Sequence, residues 1–129
     1  MSNPRSASAI RKRLEDRAGE LRSDILRELQ KYDDDRYSLL ADRVADPGDQ
    51  SISSLLSDID LSEISRDVEE YREIDAALIR LANGSYGTCI DCEEVIPRER
   101  LDVNPAAARC VRCQKAFESQ DREIHIRTI

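Results

Sequence analysis

Four cysteines, Cys89, Cys92, Cys110 and Cys113, are set as Cys-x-x-Cys, seventeen residues, then Cys-x-x-Cys, and the 129-residue chain has no other. Each Cys-x-x-Cys turn can aim two thiolates at one point, and two such turns close a tetrahedral site for one zinc ion. A closed site has no open position for water, so the metal is expected to hold a fold together while function lies elsewhere. Two disulfides are the alternative use of four cysteines. Residues 1–9 are polar and small, with no apolar secretory run. No stretch approaches the ~18 apolar residues of a membrane span. A cytoplasmic, reducing setting is therefore expected, and disulfides are disfavoured there.

Around this module the chain reads as long helices. Charged residues make up 36% of it, with one Phe, four Tyr and no Trp, which suits exposed helices better than a compact aromatic core. Ile10, Leu14, Ala18, Leu21, Ile25, Leu29, Tyr32, Leu39 and Leu40 recur mostly at steps of three and four, predicting one helix over about 8–44, capped by Ser6 or Ser8. So narrow a stripe is the seam of a coiled coil. It fails at Asp46-Pro47-Gly48-Asp49, a turn signature. Asp49 or Ser51 can cap a second helix, whose stripe runs from Ile52 through Leu56, Ile64, Val68 and Tyr71 to Leu81 and stops at Asn83-Gly84. Two such helices make an antiparallel hairpin with an arm on the order of 50 Å. Arg in the first helix faces Glu69, Glu70, Glu73 and Asp75 in the second, but exposed pairs contribute only ~0–1 kcal/mol each, so the seam carries the stability.

The expected fold class is therefore all-α: a long antiparallel helical hairpin over residues 1–84, with its tip near 45–51, and a small four-cysteine zinc domain with a C-terminal helix over 85–129. The zinc segment offers Val95, Ile96, Leu101, Val103 and Phe117 as apolar groups, too few for a core, so metal binding is expected to supply much of its folding energy. A last helix is expected from near Cys110 to about Ile126.

Charge and chemistry narrow the function. Residues 5–32 hold eight basic and five acidic groups; residues 33–75 hold four basic and fourteen acidic groups, within a chain of net charge −7. An acidic middle faces away from phosphate and towards a basic or metal-bearing partner. Residues 89–118 hold five basic and six acidic groups, whereas a phosphate-binding surface should be basic. A nucleic-acid-binding zinc finger is thus the weaker reading. Nor is an enzyme expected: the only histidine, His125, lies near the end of the chain, and no Gly-rich phosphate loop is present. Asp42, Asp46 and Asp49 gather near the expected tip. Asp is a favoured turn and capping residue, and carboxylates at the end of a rigid arm can also reach a recessed cation or Arg cluster.

Tyr86-Gly87-Thr88-Cys89-Ile90-Asp91-Cys92, Ile96, Arg100-Leu101, Pro105 and Cys110-Val111-Arg112-Cys113 together resemble the zinc module of the DksA/TraR family of bacterial transcription factors. Asp46-Pro47-Gly48-Asp49-Gln50-Ser51 is similar to that family's coiled-coil tip, Asp-x-x-Asp-x-Ala, at the same distance before the first cysteine. The resemblance runs over about residues 8–126. It implies one structural zinc on Cys89, Cys92, Cys110 and Cys113. It also implies direct binding to RNA polymerase, with no direct DNA binding, as a monomer acting in the stringent response. In that reading the arm enters the polymerase secondary channel and Asp46 and Asp49, with Ser51 beside them, act near its catalytic centre.

Three departures from the family pattern matter. Ser51 stands where the tip has Ala. Glu93 follows the second cysteine where DksA has Gly. Asn104 and Gln114 stand where DksA has Arg and Lys that help form a ppGpp site with the polymerase, so weak ppGpp coupling is expected. A zinc-stabilised stress adaptor of the same fold, without polymerase regulation, is the alternative function.

Overall fold

Ser6 starts the first helix: its backbone is extended and its hydroxyl accepts from the Ala9 N–H at 3.2 Å. The computed structural model describes residues 5–32, 34–48, 51–56 and 62–127. Helix α1 spans Ala7–Gln30 and buries Leu14, Leu21, Ile25 and Leu29, the seam that the stripe predicts. It does not continue to residue 44. The chain leaves the helix at Lys31 and re-enters one at α2, Asp35–Ala45, capped by Asp34, whose carboxylate accepts from the Arg36 N–H at 2.8 Å. The acidic run explains the break. Carboxylates oppose the dipole at the end of one helix and favour it at the start of the next.

Beyond the break α2 turns back along α1. Arg22 Nε donates to the Val44 carbonyl at 3.1 Å and its Nη2 to the Ala45 carbonyl at 2.7 Å, satisfying two carbonyls that the end of α2 leaves open. Tyr32 and Tyr37 pack across the turn with ring centroids 5.4 Å apart. The second expected helix is likewise in pieces. A short α3, Ile52–Leu55, precedes α4, Ser62–Asn83, which runs antiparallel to α1. Gly84, at φ 85, ends α4, with the Ser85 N–H donating to the Arg80 carbonyl at 2.9 Å.

The hairpin is thus α1 against α4, with α2 and α3 packed onto its distal half. At ~1.5 Å per residue the 24 residues of α1 give an arm of about 36 Å, shorter than a straight helix to residue 44 would. One apolar cluster joins Ile25 and Leu29 to Ala41, Val44, Leu56, Ile64 and Val68. A second joins Leu14 and Leu21 to Ile74, Ala77 and Ala106, where the zinc module sits against the hairpin. The expected cross-helix pairing appears at Arg17, which grips Glu70 with two bonds of 2.7 and 3.1 Å. Asp75 is used differently, accepting from Ser53 Oγ at 2.9 Å and tying α3 to α4.

After α4 come a short α5, Arg98–Val103, and α6, Val111–Arg127. Strands are absent among the described residues, apart from one isolated bridge between Thr88 and Val95. None of the described helices is long and apolar enough to cross a membrane.

Candidate functional site

The loop before α5 builds the first half of a metal centre. The Cys89 N–H donates to the Glu94 carbonyl at 2.8 Å and the Glu93 N–H donates back to the Cys89 carbonyl at 3.0 Å, folding Cys89 and Cys92 into a tight knuckle. The Ile96 N–H reaches the Gly87 carbonyl at 2.8 Å and closes the loop. The second half starts α6: the Gln114 N–H donates to the Cys110 carbonyl at 2.9 Å, which aims Cys110 and Cys113 the same way. The Ile90 N–H, bonded to the Ala108 carbonyl at 3.0 Å, pins the two halves together.

The four sulfurs lie within 4.8 Å of one another, and those of Cys92 and Cys110 are 3.9 Å apart. Tetrahedral zinc with Zn–S bonds of ~2.3 Å needs sulfurs ~3.8 Å apart. Four soft thiolates at that spacing are positioned to bind one zinc ion, and among the described residues no other His, Cys, Asp or Glu joins the cluster. Backbone N–H groups of Cys92, then Cys110 and Asp91, draw the Cys89 pKa down to about 6. Cys113 is pushed up to about 12, first by its hydrogen bond to the Cys110 sulfur and then by burial. Zinc takes only the deprotonated ligands, so loading the site releases protons. Arg112 lies beside Cys92 and Cys113, whose sulfurs raise its own pKa.

Glu93 carries a cost that its sequence position predicts. It has φ 64, the left-handed region that glycine occupies freely and other residues at about 1 kcal/mol or more. Glu93→Gly is therefore expected to stabilise the zinc-loaded protein by ~0.5–1 kcal/mol, while Glu93→Ala, with its Cβ at the same φ, gains little. Thermal unfolding of the three proteins tests this, and a lower Tm for the glycine variant would contradict it.

The module has even less core than its composition indicates. Of the five apolar residues that the sequence offers there, Ile96 alone is buried; Val95 and Val103 are 81% and 85% exposed, and Phe117 is 45% exposed. Polar contacts stand in for the missing core. Arg109 Nε donates to Asp91 at 2.7 Å, its guanidinium stacks 4.0 Å from the Phe117 ring centroid, and its carbonyl accepts from Arg100 at 2.9 Å. Sequence reading missed Arg109, since one Arg among five basic groups carries no spacing signal. Tyr86 Oη donates to the Pro105 carbonyl at 2.7 Å, and Arg13 donates to the Asp102 carbonyl at 2.8 Å, so the module is bolted to α1.

Asp46, expected at the tip, is placed away from the far end of the α1–α4 pair. Asp46 is exposed at the end of α2, level with Arg22 in the middle of α1, and Gly48 follows at φ 60. Asp49 lies outside the described residues. Ser51 is the cap of α3, its hydroxyl accepting from the Ser54 N–H at 3.0 Å. The structure thus brings the four cysteines together and gives Ser51 a local structural task.

A model of the prokaryotic DksA/TraR C4-type zinc finger matches residues 84–119. The RNA polymerase-binding transcription factor DksA of Caulobacter vibrioides is 33% identical over 94 residues, 73% of this chain; the match spans 61% of that protein's length. Among solved structures, transcription factor DksA2 from Pseudomonas aeruginosa is similar with a TM-score of 0.55 and 25% identity, over 90% of this chain and 85% of that one. The DnaK suppressor protein from Agrobacterium tumefaciens C58 is similar with a TM-score of 0.56 and 30% identity, over 90% of this chain and 99% of that one. With the four-cysteine module and the hairpin that carries it both matched, this chain belongs to the DksA/TraR family.

Proposed function

We propose that this protein is a transcription regulator that binds RNA polymerase directly, its arm (1–84) entering the secondary channel and its zinc domain (85–129) resting at the rim. The observation that carries the reading is the match over both arm and zinc module to relatives named as polymerase-binding or transcription factors. Charge supports it: fourteen acidic against four basic groups over 33–75 suit a site holding a cation or Arg cluster. Asp46 and Asp49 are the acting carboxylates, with Ser51 tuning them. In the folded-back arm Asp46 lies beside α1, so the reading includes a hinge between α1 and α2. Straightened, the helix adds Leu39 to the apolar stripe, and that side chain is 64% exposed while α2 is folded back.

Transcription from a ribosomal RNA promoter, with and without the protein, tests the reading. Asp49→Asn separates charge from helix capping, because Asn caps about as well as Asp. The variant is expected to keep its Tm and its affinity for polymerase and to lose its effect on transcription. Full activity of Asp49→Asn would mean that the carboxylate has no role in the partner.

Weak ppGpp coupling has a structural counterpart. Asn104 and Gln114 line one cleft of about 280 Å³ with Glu73 and Glu118. Burial pushes the Glu73 carboxyl up, with Glu69 and Glu70 adding to it. Arg100 and Arg109 also border the cleft, but Arg109 is engaged by Asp91 and Phe117. Amides and carboxylates cannot pair with phosphate as Arg and Lys do. Titrating ppGpp into a transcription assay, with polymerase lacking any other ppGpp site, is expected to add little to this factor's effect. A strong synergy would contradict this.

A further inference from the structure

α1 and the zinc module enclose a second cavity, of about 360 Å³, which shares no lining residue with the Asn104–Gln114 cleft. We infer that it binds a small amphipathic anion: a carboxylate on an aromatic or short aliphatic body. Its wall is apolar, made by Ile10, Tyr86, Ile96, Leu101 and Pro105, with Val95 standing 81% exposed at the mouth. Its charged groups are three arginines, Arg5, Arg13 and Arg98, against one carboxylate, Asp102. A net positive mouth is unusual for a chain of net charge −7. Small-ligand sites are concave, mainly apolar, and carry a few placed polar groups in a volume of roughly 300–1,000 Å³. This cavity meets each condition.

The arginines are not equivalent. Asp102 accepts from Arg5 Nη2 at 2.7 Å, and its carbonyl accepts from Arg13 Nη1 at 2.8 Å. The hydrogen bond to Arg5 holds the Asp102 carboxyl below its ordinary range, with the charges of Arg5, Arg13 and Arg98 adding. Arg98 makes no hydrogen bond among the described residues and supplies the donor for an incoming carboxylate. The wall is preformed: the Tyr86 ring is fixed by its bond to the Pro105 carbonyl, and the loop bearing Val95 by the Ile96–Gly87 bond. Gly87, at φ 84, supplies the left-handed turn that brings the wall against Leu101. Inorganic phosphate has the charge and no body to fill the wall, whereas a neutral aromatic has the body and leaves Arg98 unpaired. A bound acid touches both α1 and the zinc module, so its occupancy stiffens the joint between arm and module.

The test uses the full zinc-loaded chain and three probes: indole-3-propionate, its neutral amide, and inorganic phosphate. Amide shifts in ¹H–¹⁵N spectra report position and affinity together. The acid is expected to shift Gly87, Thr88, Val95 and Arg98 with a Kd on the order of 1 mM, an ordinary efficiency for so few heavy atoms. The neutral amide should bind about tenfold more weakly, and Arg98→Ala should weaken the acid by about the same factor, since one charge-assisted bond is lost in each case. Val95→Asp should abolish the shifts. The Arg98 and Val95 side chains are exposed, and the Thr88–Val95 bridge is a backbone contact that Val95→Asp keeps, so an unchanged Tm in both variants is part of the expected result. Equal binding of acid and amide, unchanged affinity in Arg98→Ala, shifts centred on Asn104 and Gln114, or no saturable shifts would each overturn the inference.

Discussion

Chelating the metal is expected to unfold residues 86–118 and leave α1 and α4 helical. Structural zinc sites contribute on the order of 10–16 kcal/mol in small domains. Burial of Ile96, the largest fully buried side chain of the module besides the ligand Cys89, is worth only ~1.5–3 kcal/mol. The remaining contacts are bonds such as Arg109–Asp91, Arg100 to the Arg109 carbonyl and Tyr86 to the Pro105 carbonyl, each worth about 1 kcal/mol net. They cannot replace the metal. Metal analysis should give one zinc per chain. After chelation, amide peaks of 86–118 should collapse while those of Leu21 and Ile25 persist. Cys110→Ser should do the same without chelator. Retained peaks across the module in metal-free protein would contradict the account.

Leu29→Ala is expected to destabilise the arm by ~2–5 kcal/mol, while Leu39→Ala stays within about 0.5 kcal/mol. Leu29 is fully buried in the cluster formed with α2 and α4, and Leu39 is 64% exposed on the far side of α2. Against a typical stability of ~5–15 kcal/mol the first change is severe. The pair also discriminates between arm geometries. On a straight helix from residue 8 to 44, Leu39 belongs to the seam and its truncation costs as much as any other seam position. Denaturant unfolding of both variants decides between the two, and comparable losses would argue against the folded-back α2.

The metal centre was legible because its signal is local: two Cys-x-x-Cys turns need no knowledge of the rest of the chain. Gly84 at the end of α4 was legible for the same reason, and so was Glu93 as a strained position, since the family pattern places Gly there. The α1 seam was readable from its period as far as Leu29. Beyond it the period misled, because Tyr32, Leu39 and Leu40 keep helical spacing across a break. The competing signal was three consecutive acids, Asp33, Asp34 and Asp35, the second of which caps α2. Propensity and spacing cannot weigh a cap against a stripe. Tertiary contact decides, here through Arg22 and the burial of Val44. The poor core of the zinc module was legible from its few apolar residues, and Val95 and Val103 do stand exposed: a metal-held module need not bury its apolar groups to fold. The cavity beside Arg98 was invisible in the sequence, since it is assembled from α1, the knuckle loop and α5 across some ninety positions.

Photo-crosslinking tests the functional proposal most directly. A benzophenone amino acid replaces Asp46, on the exposed end of α2, and the zinc-loaded protein is irradiated with purified RNA polymerase. The account predicts cross-links to polymerase segments lining the secondary channel near the catalytic centre, competed by unlabelled protein and lost after zinc chelation. Cross-links confined to the outer surface of the polymerase, or none at concentrations where the protein is folded and metal-loaded, would contradict it and leave the zinc-stabilised adaptor as the better reading.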